Sequence, residues 1–298
     1  MPAPPAKNDI SGSGATPSNA QARSGFGALW ECLFGTGGFL GTTGNQPEAR
    51  AGLGIPSMLQ YEVVLSGGNL VLLPRDGNLI CIDGYNRPIP AAGVTLAATG
   101  TAANTTYNIY ASWNGSAVVM ERDTGGHALS SNYGVRVKST DATRTLLAKA
   151  RTVSAGAWVN SSSQRFLINW VNGGRKVSAK TALPSTLTTS STSPQFLGSV
   201  EFLSWGNETI SVSLAGGMQN NTANAVNFIG IGLDSNTVSS TPSSYGQAAV
   251  NNGYMSLTQT YPIDVATEGN HSLSILGWVN SGIGSFLSGS GMSAMVSV

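Results

Sequence analysis

Residues 106–123, TYNIYASWNGSAVVMERD, decide the fold class. Tyr107, Ile109, Ala111 and Trp113 alternate with Asn108, Tyr110 and Ser112, the period of two that sends successive side chains to opposite faces of a strand. Asn114-Gly115 comes next, a dipeptide suited to hairpin turns because both residue types tolerate positive φ. SAVVMERD then carries the chain back, so the stretch predicts a β-hairpin.

The same pattern extends in both directions. Asp76-Gly77 and Asp83-Gly84 flank the apolar run LICI, and Val135 and Val137 alternate with Arg136 and Lys138. Leu146, Ala148 and Ala150 lie opposite Leu147, Lys149 and Arg151. Residues 61–163 therefore predict one small antiparallel β-domain. Ser161, Ser162 and Ser163 interrupt the pattern, and residues 164–298 resume it. Ile210, Val212 and Leu214 alternate with Thr209, Ser211 and Ser213, Ile229, Ile231 and Leu233 with Gly230 and Gly232, and Leu273 and Ile275 with Ser272 and Ser274. Such strands, joined by Gly- and Asn-rich turns, predict a β-sandwich, and the long connections favour a jelly-roll-like one. Glycine weakens a strand unless something approaches closely, so FIGIGL is expected to lie against a neighbouring sheet or a symmetry axis.

Helical signals are confined to residues 1–60. In TPSNAQARSGFGALWECLFG, Thr16 is placed as N-cap, Pro17 as first helical residue and Gly35 as the end. In TGNQPEARAGLGIP, Asn45 and Glu48 have capping-box spacing. Phe26, Leu29, Trp30 and Leu33 give the first segment one apolar face, and Leu53 lies in the second. Helices this short are marginal in water, so that face needs cover from downstream domains or sister copies. Residues 1–15, rich in Pro, Gly, Ser and Ala, are expected to be ordered only by a partner.

Composition narrows the function. Charged residues make up 10% of the chain, against about a quarter in typical domains. Its surface must therefore be built from Ser, Thr, Asn, Gln and Gly, which argues against a charged helical bundle. A net charge of +1 with scattered basic residues supplies no reason to expect nucleic-acid or anionic-membrane binding. No stretch reaches the roughly 18 apolar residues of a membrane span, so no membrane insertion is expected. Cys32 and Cys81 lack metal or redox spacing and read as buried free thiols.

Chemistry-bearing patterns are sparse. His127 and His271 form no ligand-spaced pair, so no metal and no cofactor is expected. GTGGFLGTTG lacks the phosphate-binding lysine, and Asp76, Asp83, Asp123, Asp141 and Asp234 sit beside turn residues, where Asp bonds backbone. No catalytic residue is expected, and the chain reads as a non-enzyme. Trp113, Trp158, Trp170, Trp205 and Trp278 read as core, while Tyr245 and Tyr254, in the loop-like SSYGQAAVNNGYMS, are candidate glycan contacts.

One resemblance goes beyond these signals. The leader MPAPPAKNDISGSGATPSNAQARSGFGALWE with TGNQPEARAGLGI resembles the N-terminal attachment segment of bacteriophage tail-fibre and related virion-fibre proteins. GVTLAATGTAANTTYNIYASWNG and VRVKSTDATRTLLAKARTV look like the small β-domain that follows in that group. The resemblance implies a homotrimer that docks on other virion proteins through residues 1–55 and projects its β-domains toward a host surface, with a host-surface glycan as a further partner. It also implies assembly in the host cytoplasm and residence in the virion. Phe26, Leu29, Trp30, Leu33 and Leu53 would then be attachment or trimer contacts. A tail fibre or spike is the first reading, with a head or collar fibre or capsid decoration protein as alternative. A carbohydrate-binding module or glycan-active tailspike is the second alternative. The expected fold class is mostly β: a short N-terminal helical attachment segment, then two antiparallel β-domains, the C-terminal one a jelly-roll-like β-sandwich.

Overall fold

A computed structural model describes residues 61–75, 77–131, 134–171, 176–239 and 244–297. The two predicted helical segments, Cys32 and the apolar residues Phe26, Leu29, Trp30, Leu33 and Leu53 lie outside the described residues. Within them the chain is all strand and turn, with no α-helix. It divides into two compact units, whose described residues are 61–62, 72–75, 77–94, 110–131 and 134–146 in the first and 63–71, 95–109, 147–171, 176–239 and 244–297 in the second.

Ten strands come first: β1 (Tyr61–Ser66), β2 (Asn69–Pro74), β3 (Leu79–Ile82), β4 (Tyr85–Pro88), β5 (Val94–Leu96), β6 (Thr106–Trp113), β7 (Val118–Asp123), β8 (His127–Leu129), β9 (Arg136–Lys138) and β10 (Asp141–Arg151). They form a three-stranded sheet β1-β2-β5, the hairpin β3-β4, and a larger sheet ordered β7-β6-β10-β9-β8. Asp83-Gly84 closes the β3-β4 hairpin with φ of 50° and 75°, the two left-handed residues that a twisted two-residue turn requires. The opening hairpin is present, but its loop spans residues 114–117. Asn114 Oδ1 there accepts from the Ser116 and Ala117 N–H groups, so the asparagine side chain shapes the turn and only Gly115 takes positive φ. Alternation in β6 and β10 does not translate into one wet face: residues 107–112 and 145–150 are buried throughout. In the first unit Cys81 packs as a free thiol with Val135 and Val137, Thr145 Oγ1 donates to the Cys81 carbonyl, and the buried Tyr61 hydroxyl donates to the Leu146 carbonyl at 2.9 Å.

Twelve further strands follow: β11 (Gln164–Arg165), β12 (Leu167–Asn169), β13 (Lys176–Ala182), β14 (Leu187–Thr189), β15 (Gln195–Trp205), β16 (Glu208–Asn220), β17 (Val226–Leu233), β18 (Ser244–Gln247), β19 (Gly253–Val265), β20 (Glu268–Val279), β21 (Gly284–Phe286) and β22 (Gly291–Ser297). One sheet is ordered β11-β15-β20-β17-β18, with β11 parallel to β15 and the other pairs antiparallel. The second is ordered β13-β22-β16-β21-β14, with β19 on the other edge of β16. The two sheets close over a shared core. Val200, Phe202, Ile229, Ile231, Leu273 and Ile275 come from the first; Ile210, Val212, Leu214, Tyr261, Ile263, Met292, Ala294 and Val296 from the second. This is a β-sandwich in which the period-two apolar residues point inward, and each fully buried large side chain contributes about 1.5–3 kcal/mol.

Two short connections carry the chain from sheet to sheet. Gly206-Asn207 joins β15 to β16, and Ala266-Thr267 joins β19 to β20. The registers run from Gln195↔Gly277 to Trp205↔Glu268 and then from Glu208↔Val265 to Asn220↔Gly253, so one long two-stranded ribbon folds across the core. Gly206 sits at φ 78° with the Glu268 nitrogen 2.9 Å from where a Cβ would lie, so both its conformation and its surroundings require glycine.

Candidate functional site

The outward face of the five-stranded sheet collects the features that can meet a ligand. Since Ile229, Ile231, Leu273 and Ile275 point inward, Phe228, Gly230 and Gly232 on β17 and Ser272, Ser274, Leu276 and Trp278 on β20 point outward. Register places Tyr245, Phe228 and Trp278 side by side on three neighbouring strands. Trp278 stacks on Phe228 with centroids 5.3 Å apart and planes 9° apart, and Phe228 lies 6.2 Å from Tyr245. Tyr245 is 67% exposed. On β15, Phe196 pairs with Leu276 beside a bulge in the register and is 53% exposed.

The glycines of FIGIGL are explained by the segment that follows them. Residues 234–239 fold back over β17: the Val238 methyls and Trp278 cover Gly230, and the Ser235 and Thr237 carbonyls cover Gly232. The Ser239 N–H bonds the Ile231 carbonyl at 3.0 Å. The expected close neighbour is thus the chain's own turn and not another sheet or a symmetry axis.

That turn raises one wall of an open groove of about 640 Å3. Phe196 forms the opposite wall, Asn270, Ser272 and Ser274 of β20 the floor, and Asp234, Ser235 and Asn236 the turn side. Asp234 is fixed by two bonds: Oδ1 accepts from the Ser272 N–H and Oδ2 meets His271 Nδ1, each at 2.8 Å. His271 is buried, and its Nε2 lies 2.9 Å from the Thr267 carbonyl. An acid–histidine pair of this kind invites comparison with a nucleophile-activating base, but a backbone carbonyl occupies the position that a serine would need. Asn270 Oδ1 has no hydrogen-bond partner, and none is found for the exposed Asn236 among the described residues. The lining carries one carboxylate and no lysine or arginine.

Other polar clusters are structural in geometry. Lys149 is buried beneath the Trp205 ring, 4.5 Å from its centroid, and pairs with Glu268. Burial pulls the Lys149 ammonium below the usual lysine range, partly offset by the Glu268 carboxylate. Burial alone would push Glu208 up, but bonds from Ser204 Oγ, Ser297 Oγ and Lys176 Nζ outweigh it and hold the carboxyl below its usual range. No group of three His, Cys, Asp or Glu side chains able to hold a metal ion occurs among the described residues.

Tyr245 and Tyr254 do not form one site. Tyr245 stands in the aromatic row, whereas Tyr254, 66% exposed, projects from β19 of the other sheet and lies over Gly217. Of the tryptophans expected in the core, Trp158 is buried edge-on to Tyr107, while Trp113, Trp170, Trp205 and Trp278 are half-buried. Phe196, Phe228, Trp278, Asn236 and Asn270 are the residues that sequence reasoning missed. One signal was present: Trp278 shares its parity with Ser272 and Ser274, which puts an aromatic ring on a polar face.

No protein-family model and no curated protein matches the chain. Among solved structures, it is similar to that of the infectious bursal disease virus Gx strain (TM-score 0.29, 10% identity, 81% of this chain and 66% of that one). A similar match is the VP2 subviral particle of infectious bursal disease virus (TM-score 0.29, 11% identity, 81% and 72%). A third is BpGH86A, a β-porphyranase of the human gut bacterium Bacteroides plebeius (TM-score 0.24, 13% identity, 82% and 37%).

Proposed function

We propose that the chain is a non-enzymatic structural subunit of a bacteriophage virion, a homotrimeric tail fibre or spike that docks through residues 1–55 and presents its β-domains to the host surface. The observation that carries this reading is the wording of the leader and of residues 93–115 and 135–153, which resembles that of virion-fibre proteins. The β architecture is compatible with it. The ribbon folded at Gly206-Asn207 and Ala266-Thr267 supports a jelly-roll-like description of the sandwich, since a jelly roll is a β-ribbon wrapped across two sheets. The outer side of the second sheet is laced by side-chain bonds such as Ser178 to Ser293 and Ser213 to Thr260, the neutral polar surface anticipated from composition.

Light scattering on the chain with and without residues 1–55 tests the oligomer. A trimeric mass supports the fibre reading, and its persistence after truncation places the trimer contacts in the β-domains. A monomer in both sinks the self-trimerising model. Recovery of tagged chain on purified tails or on heads separates a tail fibre from a head or collar fibre. The aromatic row, half-buried at Trp278 and Phe228 and exposed at Tyr245, favours a second reading, a carbohydrate-binding module, which predicts glycan affinity that survives loss of the leader.

A further inference from the structure

We propose that the groove between Phe196 and the 234–236 turn binds an uncharged saccharide, with the Trp278–Phe228–Tyr245 row extending the contact for longer chains. The proposal deepens the host-surface half of the reading above and rests on it for its biological setting, though its geometry is independent of docking.

Size and shape come first. A cleft of about 640 Å3 lies within the range of small-molecule sites and admits a short oligosaccharide. Its chemistry is that of a polyol's complement. Ser272 and Asn270 on the floor, with Asn236 and Asp234 on the wall, present hydroxyl, amide and carboxylate groups, and Phe196 offers an apolar face at the rim. A phenylalanine left 53% exposed contributes little to the fold's own core, so its ring is available to a ligand. The exposed Asn236 amide on the turn has bonding capacity that the protein does not use.

Charge selects among saccharides. With Asp234 in the wall and no cation in the lining, a phosphate or carboxylate group would be desolvated against a like charge with nothing to pair it. The same argument disfavours nucleic acid. The site is also prepared in advance: Asp234 is held by Ser272 and His271, and the turn is seated on Gly232 and tied by the Ser239–Ile231 bond. Little ordering is left for the ligand to impose.

The test uses the full chain with maltoheptaose, cellohexaose and chitohexaose as uncharged probes and hexagalacturonate as the charged one, read by tryptophan emission and calorimetry. At least one uncharged probe is expected to bind with Kd below ~10 mM, tighter than its own disaccharide, with no binding of hexagalacturonate. Phe196→Ala and Asn236→Ala should each weaken binding about tenfold without moving the denaturation midpoint. The proposal is overturned if no uncharged probe binds, if hexagalacturonate binds as tightly, or if both variants bind unchanged. Neither substitution touches the leader. Loss of sugar binding with an unchanged trimeric mass therefore speaks about the groove, and a monomer that still binds sugar speaks against the fibre.

Discussion

Gly232→Ala puts the role of the folded-back turn to a quantitative test. A Cβ at position 232 would lie 2.2 Å from the Ser235 carbonyl oxygen and 2.9 Å from that of Thr237. Backbone cannot rotate aside, so the turn must lift. Overpacking of this kind costs about 1–3 kcal/mol, and the upper end applies where the obstacle is main chain. Lifting also threatens the Ser239–Ile231 backbone bond, about 1 kcal/mol, while alanine recovers about 1 kcal/mol by stiffening the unfolded chain. The net loss is about 3 kcal/mol. Gly230→Ala is the control: its Cβ would meet only the Val238 methyls at 3.1 and 3.2 Å and Trp278 at 3.3 Å, side-chain atoms that yield by tenths of an ångström. There strain and entropy nearly cancel, for a net of about zero. Urea denaturation followed by tryptophan emission reads the difference. Because the lifted turn carries Asp234, Gly232→Ala should also abolish saccharide binding while Gly230→Ala keeps it. Equal stability of the two variants, or a Gly232→Ala within about 0.5 kcal/mol of wild type, would refute the packing argument.

Three other outcomes are expected. Lys149→Met should be neutral or slightly stabilising, because burial penalises the ammonium, whereas Glu268→Ala strands that charge and should cost about 1–3 kcal/mol, discounted for the 39% exposure of Glu268. In Glu268→Ala the folded state holds the Lys149 proton less tightly than the unfolded chain does, so urea titrations should show stability rising with pH through the alkaline window below the ordinary lysine pKa. At the acid end, Asp123 is held low by Lys138 and the Gly125 N–H, Asp141 by the Thr143 hydroxyl and N–H, and Glu208 by the bonds described above. Their stabilisation is present above the ordinary carboxylate range and is lost as pH falls through the depressed folded values, and Glu208→Gln should flatten that loss below about pH 5 in a pH-dependent melting series.

Much of the sandwich was legible because one face of each strand is dry. In β16, Ile210, Val212 and Leu214 enter the core while Thr209 and Ser211 stay outside, so the period of two in the sequence is the period of burial in space. Asp83-Gly84 was equally readable, since a two-residue turn with positive φ leaves a local residue signature. Alternation failed at β6 and β10, where both faces are buried, because periodicity reports contrast between faces and there is none.

The candidate site lies at the opposite extreme. Phe196, Phe228, Trp278 and Tyr245 are spread over residues 196–278, and only the order β15-β20-β17-β18 sets them on adjacent strands. Asn236 and Asn270 face the same groove only because Gly232 lets the 234–239 turn lie flat on the sheet. The sequence alone determined what each strand buries, since that depends on neighbours two residues away. Tertiary structure decided which exposed rings and amides share a face, because that depends on strand order and register, which no local pattern encodes.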